Sequence, residues 1–224
     1  MMDLWLYIGF SMLETYAMFY LIFKLFKIDL FPKEMIFASI IMSFISYVLR
    51  TVYELPQADV VVQVLLMFSF IWLLFKIHVF YAVILTGMAY QAYMLIQTLY
   101  YFIMDSAGLF DSGTIPYILS ISTFILQALS AATAIGAGYI LSVKRKGFDF
   151  VPDKPSGKIA VKTWEKVLLI LNIPSVVIVL LTMYFANYLS GLFFLVPTAN
   201  AVILYGYLYV SYKKDRGEDE HFSI

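Results

Sequence analysis

Two charged side chains lie inside long apolar stretches of the sequence. Glu14 lies ten residues into the first stretch, at a depth of roughly 15 Å and close to a bilayer midplane. An acid there must be protonated, paired or in contact with water, and such residues are usually functional. Arg50 lies about one turn from the end of the second stretch. Either both line one outward-facing cavity, as an ion pair or separately, or Arg50 pairs with Glu54 and Glu14 is a neutral acid bonded to another helix.

Side-chain amides share these depths in several other apolar stretches. They suggest a site that opens outward, although interhelical amide hydrogen bonds also explain such residues. In the predicted site Arg50 contacts an acidic or carboxylate group of the ligand, Glu14 sets the charge, and the glutamines orient the ligand. The predicted ligand-binding residues are Glu14, Arg50, Gln63, Gln91, Gln97, Gln127, Asn172 and Asn200.

Sequence motifs for catalysis and for metal binding are missing. The chain has no cysteine and two histidines, His78 and His221, without an HExxH pattern. It has no GxSxG elbow, no GxxxxGK[ST] loop and one acid at mid-membrane depth, which excludes a carboxylate pair there. We therefore predict that the protein is not an enzyme and that it has no metal site and no cofactor.

Composition predicts that the elements positioning these residues are membrane-spanning helices. The 224 residues are 62% hydrophobic and 13% charged, with a mean hydropathy of +0.87. Soluble domains average about 45–50% and 25%, so a soluble enzyme, a disordered chain and a nucleic-acid binder are excluded. The predicted fold class is an all-α, polytopic transmembrane helix bundle. It forms a single domain, 1–212, with a short cytoplasmic tail, 213–224, and its seven spans cover about 4–26, 35–54, 58–75, 79–104, 115–143, 164–186 and 189–211.

The distribution of basic residues predicts the orientation of the spans. If the N-terminus lies outside, every lysine and arginine except Arg50 falls in or beside an inner loop or the tail. The positive-inside rule therefore predicts an outer N-terminus and a cytoplasmic C-terminus. The longest inner loop, 144–163, has a basic surplus. This surplus either serves only as a topology signal or also attracts anionic lipid, at about 1 kcal/mol per lysine or arginine.

Two local patterns predict how individual helices pack. Pro56, in the segment Glu54-Leu55-Pro56-Gln57, predicts a tight turn between the second and third spans. In the fifth span, small residues recur at a spacing of four, which lets helices approach closely. These residues either pack inside the bundle or form a dimer contact, and they are Ser130, Ala134 and Gly138 on one stripe and Ala132 and Gly136 on the other.

The region from Leu30 to Tyr101 contains recognisable local patterns. They are a helix end reading SYVLR, a short turn carrying Pro56, an inner turn reading LLFKI and then FYA, and Gln97 in the next helix. This region resembles the membrane sensor modules of Gram-positive receptor histidine kinases of the GHKL group, which includes peptide-pheromone receptors. The resemblance implies a Gram-positive cytoplasmic membrane. Those receptors continue past the last span into a kinase, so the resemblance further implies that this chain is a sensor module without its own kinase part. Such a module either acts through a partner or serves another purpose.

Three functions fit the sequence. We expect a non-catalytic integral membrane sensor or regulatory protein that binds a small, hydrophobic or peptide ligand in an outward-facing intramembrane cavity. A small transporter, or the substrate-binding subunit of one, is the first alternative, and an accessory subunit of a membrane complex is the second. The expected partners are the lipid bilayer, the ligand and a membrane protein or kinase, with no nucleic acid. The expected location is the cell membrane, with multiple spans.

Overall fold

The computed structural model describes residues 2–109, 120–152, 163–178 and 195–219. All secondary structure in these ranges is helical, which confirms the predicted all-α class. A further helical stretch, 172–178, follows α6 after a turn at Leu171. The helices are α1 (Met2–Leu25), α2 (Pro32–Tyr47), α3 (Pro56–Ser69), α4 (Val79–Ser106), α5 (Ile121–Val143), α6 (Thr163–Ile170) and α7 (Leu195–Asp219).

Five helices of the described ranges are long and apolar enough to cross a membrane. They cover Leu4–Leu25, Pro32–Val52, Pro56–Leu74, Val79–Ser106 and Ile121–Val143. The first four match their predicted spans to within about three residues at each end, whereas the fifth ends at the predicted residue and begins at Ile121 rather than at 115. Large apolar side chains on these helices, such as Phe44, Leu65 and Val143, are more than half exposed and so suit contact with lipid. Parts of the fifth, sixth and seventh predicted spans lie outside the described residues, namely 115–119, 179–186 and 189–194.

The junction between α2 and α3 is a compact reversal, as the proline predicted. One π-helical turn, Val48–Val52, ends α2, and Glu54 takes a left-handed φ of 54°. Pro56 then starts α3 at a position where a helix needs no backbone donor. Because π-helical turns displace the residues they contain relative to an α-helix, this junction sets where Arg50 lies.

Helix α1 packs along α5, α2 and α4. In its second half, Phe19 and Phe23 are fully buried and contact the Phe75 ring, with ring centroids 5.4 and 4.8 Å away. Helices α1 and α5 approach each other closely at Gly138. A Cβ added there would lie 3.0 Å from the Tyr20 ring and 3.4 Å from the Leu21 Cα.

The two small-residue stripes of α5 have different surroundings. Ser130, Ala134 and Gly138 are buried inside the bundle, so the first stripe serves internal packing. Ala132 is exposed, and no atom lies within 4 Å of the Cβ position of Gly136. The second stripe therefore lies on the outer surface of the described bundle.

Helix α7 continues past the predicted end of the seventh span, and the predicted tail therefore begins within a helix. Within this extension, Lys214 is buried and only 3% exposed. Its Nζ donates to the Tyr81 hydroxyl at 3.1 Å and lies 4.0 Å from the centre of the Phe150 ring. A hydrogen bond and a cation–π contact offset the loss of water around the ammonium group, which keeps the helix in contact with the bundle.

Candidate functional site

A cavity of about 150 Å³ lies between α1, α2, α3, α4 and α5, and we call it the Glu14 cavity. It lies toward the N-terminal half of α1 and the junction of α2 with α3. Five of the eight predicted site residues line it, namely Glu14, Arg50, Gln63, Gln97 and Gln127. The remaining lining residues are Tyr7, Ser11, Thr15, Met18, Met42, Ser46, Asp59, Val60, Tyr90, Tyr93 and Met94.

Glu14 is held by amides from two other helices. Gln97 of α4 donates its Nε2 to Glu14 Oε1 at 3.0 Å, and Gln127 of α5 donates its Nε2 to Glu14 Oε2 at 3.0 Å. Each carboxylate oxygen thus accepts one bond from a neutral group. The prediction that Glu14 bonds to another helix is met twice over, and the three residues tie α1, α4 and α5 together around the cavity.

Arg50 forms its ion pair with Asp59, in place of the two partners that the sequence suggested. Its Nε donates to Asp59 Oδ2. The expected pairs with Glu54 and with Glu14 are both wrong as direct contacts, although Arg50 and Glu14 line the same cavity. The reason is the reversal at Pro56, which returns the first turn of α3 to the π-helical turn that carries Arg50.

Asp59 is the most fully satisfied charge of the cavity. It is fully buried, and besides Arg50 it accepts a hydrogen bond from Ser46 Oγ at 3.0 Å and one from Gln63 Nε2 at 3.2 Å. Because Ser46 gives its proton to Asp59, the Tyr7 hydroxyl donates to Ser46 Oγ, at 2.8 Å. These contacts satisfy the requirement that a buried charge be paired and hydrogen-bonded.

One polar atom in the wall of the cavity has no hydrogen-bond partner among the described residues, namely Gln127 Oε1. Most buried polar groups are paired, and an unpaired one costs about 1–3 kcal/mol. Gln127 Oε1 is therefore suited to contact a bound molecule in the Glu14 cavity. The hydroxyl of Tyr93, a residue that is 3% exposed, interacts with Glu14 in the same wall.

Three predicted site residues lie outside the cavity. Gln91 and Asn200 are fully buried, and Gln91 Nε2 donates to Asn200 Oδ1 while Ser175 Oγ donates to Gln91 Oε1 at 2.8 Å. Asn172 donates to the Leu168 carbonyl at 3.1 Å, close to Gly87. Gln91 and Asn200 thus fit the interhelical explanation, since with Ser175 they join α4, the 172–178 stretch and α7. None of the three residues lines the Glu14 cavity.

The site also contains residues that the sequence prediction missed. They are Asp59, Ser46 and Tyr93, none of which the sequence prediction selected. A usable signal existed for Asp59, since it lies four residues before Gln63 and in the first turn of the helix that Pro56 begins. In the described ranges, no group of three or more His, Asp or Glu residues could hold a metal ion.

A second, more open concavity of about 470 Å³ lies at the opposite end of α1. Four cations line it, Lys24 and Lys27 from the end of α1 and Arg145 and Lys146 from the residues after α5, together with one acid, Asp29. We call it the basic concavity.

A scan against protein-family models gives no match, and searches of curated proteins and of solved structures give none either.

Proposed function

We propose that the protein is a non-catalytic sensor or regulatory protein of the cell membrane, which binds a ligand in the Glu14 cavity. The observation that supports this most is the cavity itself. It collects polar side chains from five apolar helices and leaves the buried acceptor Gln127 Oε1 unpaired. Polar groups at such depths are costly, so those that occur there usually serve a function.

The proposal includes seven spans, with the N-terminus outside and the C-terminus in the cytoplasm. The positive-inside distribution of lysine and arginine supports this orientation. In this orientation, the Glu14 cavity lies in the outer half of the bundle and the basic concavity lies at the cytoplasmic end. A ligand therefore reaches the cavity from outside, as the resemblance to receptor kinase sensor modules also suggests.

The contacts of Glu14 suggest how binding is transmitted. A ligand that bonds to Glu14, Gln97 and Gln127 prefers one relative position of α1, α4 and α5, and it shifts the population toward that position. The same helices meet the cytoplasmic elements, because Tyr81 at the start of α4 holds Lys214 of α7. The Phe148 amide also donates to the Leu25 carbonyl at the end of α1, at 2.8 Å. In this proposal, a partner kinase or regulator binds the cytoplasmic end of the bundle and responds to its change in shape.

The absence of cysteine allows a direct test by site-directed spin labelling. Single cysteines replace Val143 and Tyr212, both exposed near the cytoplasmic ends of α5 and α7. The distance between the two labels is measured in nanodiscs with n-butylammonium, butyrate or n-butanol. In the labelled protein with an unchanged cavity, we expect at least one probe to shift the distribution of distances between the labels. The same probe should cause no shift when the labelled protein also carries Glu14→Gln. Three probes without any shift would contradict the sensor function.

Transport is the second candidate, and the position of Glu14 in a cavity near mid-span favours it. In a transporter, Glu14 would couple substrate movement to a proton. Proteoliposomes distinguish the two functions. Accumulation of a probe that Glu14→Gln abolishes would support transport, whereas binding without flux would support sensing.

A further inference from the structure

We infer that the ligand of the Glu14 cavity carries a positively charged amino group. This inference rests on the proposed function, because it assumes that the cavity binds a ligand, and it replaces the acidic ligand group that the sequence suggested. It depends on charge balance, on the hydrogen-bonding groups and on the shape of the lining.

The charge of the cavity is unbalanced. Two carboxylates, Glu14 and Asp59, share the cavity with one guanidinium, that of Arg50. Arg50 is bound to Asp59, and Asp59 receives two further hydrogen bonds. The donors that contact Glu14 are neutral, namely the amides of Gln97 and Gln127 and the hydroxyl of Tyr93. A buried charge requires a partner of opposite sign, and a ligand ammonium group supplies it. A ligand carboxylate would have to displace Asp59 from Arg50 and would add a third negative charge.

The hydrogen-bonding groups of the lining also fit an amine. An ammonium group has three donors and no acceptor. Gln127 Oε1 is a buried acceptor without a partner, Glu14 keeps further lone pairs, and the Tyr93 hydroxyl beside Glu14 keeps lone pairs that can accept as well. The three groups lie on α1, α4 and α5. One ammonium group in contact with them would satisfy the acceptor that the free protein leaves unpaired.

The remaining lining suits the organic part of such a ligand. Tyr7, Tyr90 and Tyr93 supply aromatic rings, whose faces attract cations, and Met18 and Met94 supply adaptable apolar contacts. A cavity of about 150 Å³ holds a group of about the size of benzene. The occupant is a small amine or the amino end of a larger molecule.

The test uses the full chain in phosphatidylcholine nanodiscs and three probes of equal carbon number: n-butylammonium, butyrate and n-butanol. Binding is measured by titration calorimetry at constant ionic strength. We expect n-butylammonium to bind at least tenfold more tightly than the other two probes. Glu14→Gln should weaken n-butylammonium binding at least tenfold. Glu34→Gln, the same substitution at the start of α2 and outside the lining, should leave it unchanged.

A second variant keeps the test valid if Glu14→Gln folds poorly. Gln127→Met preserves the length of the side chain while it removes the unpaired acceptor together with the Nε2 donor to Glu14. We expect it to weaken n-butylammonium binding about fivefold. The inference is overturned if butyrate or n-butanol binds as tightly as the amine, if the amine does not bind, or if both variants bind it as the wild type does. Tight butyrate binding would refute the inference that the ligand carries an amino group, but the cavity would still be a ligand site. The sensor function is tested separately, by the distance between spin labels at positions 143 and 212.

Discussion

Arg50, near the end of α2, donates its Nε to the fully buried carboxylate of Asp59, in the first turn of α3. The turn that joins the two helices carries Glu54 in a left-handed conformation and Pro56 at the helix start. The ion pair thus fastens this reversal and leaves the second acid of the cavity, Glu14, without a direct ion pair among the described residues. The Arg50–Asp59 ion pair is therefore the main reason to expect a ligand with a positively charged amino group.

The Arg50–Asp59 pair predicts strong thermodynamic coupling between the two positions. Arg50→Met leaves Asp59 as a buried charge with only neutral donors, so it should destabilise the protein by about 2 kcal/mol, the cost of an unsatisfied buried group. Arg50→Met combined with Asp59→Asn should cost less than the sum of the single changes, with a coupling of about 1–3 kcal/mol. Reversible unfolding in detergent measures all four proteins. Additive losses would show that the pair contributes no stability.

Gly87 predicts a tightly constrained contact between α4 and the last helices. A Cβ at Gly87 would lie 2.9 Å from the Tyr207 hydroxyl and would overlap the Asn172 side chain. Gly87→Ala should therefore destabilise the bundle by about 1–3 kcal/mol, the usual cost of overpacking. Gly136→Ala is the matched control, since nothing lies within 4 Å of its Cβ position. Thermal unfolding should show a loss for Gly87→Ala and none for Gly136→Ala; equal effects would contradict the described packing.

Lys214 predicts that the end of α7 is held by its contacts with Tyr81 and Phe150. Lys214→Ala removes the hydrogen bond and the cation–π contact, and each is worth about 1 kcal/mol. We expect amide hydrogen exchange at 213–219 to speed up roughly tenfold or more. Lys213→Ala, at the exposed neighbouring position, should leave it near the wild-type rate. Equal exchange in both variants would show that the Lys214 contacts do not hold this helix end.

The basic concavity predicts stabilisation by anionic lipid. Lys24, Lys27, Arg145 and Lys146 surround it and face one acid, and each cation near an anionic surface contributes about 1 kcal/mol. Phosphatidylglycerol nanodiscs should therefore raise the unfolding temperature relative to phosphatidylcholine nanodiscs.

The matched variants place that effect in the concavity. Lys24→Gln with Arg145→Gln should remove most of the gain, whereas Lys33→Gln, outside the concavity, should retain it. A gain that survives the double substitution would refute a specific role for the concavity.

The helices were predictable from the sequence because lipid solvation leaves a simple signal, a run of about 20 apolar residues. Glu14 and Arg50 could be identified for the same reason, since a charged residue is conspicuous within a long apolar run. Gln97 and Gln127 also proved to be in the cavity, because their depth matches that of Glu14 and their helices are its neighbours.

The partners of these residues were less predictable. Depth along a span does not reveal which helices adjoin, so Gln91 and Asn200 were grouped with Glu14 although they bond to each other elsewhere. Asp59 was missed because the turn at Pro56 hides its return toward Arg50. Both errors concern the arrangement of helices around the bundle, which apolar periodicity does not encode.

The most direct test of the account is the side of the membrane on which the Glu14 cavity opens. Single cysteines replace Tyr53, which is exposed in the junction next to the cavity, and Lys146, which lines the basic concavity. Intact cells are then treated with a membrane-impermeant maleimide. We predict that the cysteine at 53 reacts at once and that the cysteine at 146 reacts only after permeabilisation. The opposite pattern would contradict a cavity that receives its ligand from outside.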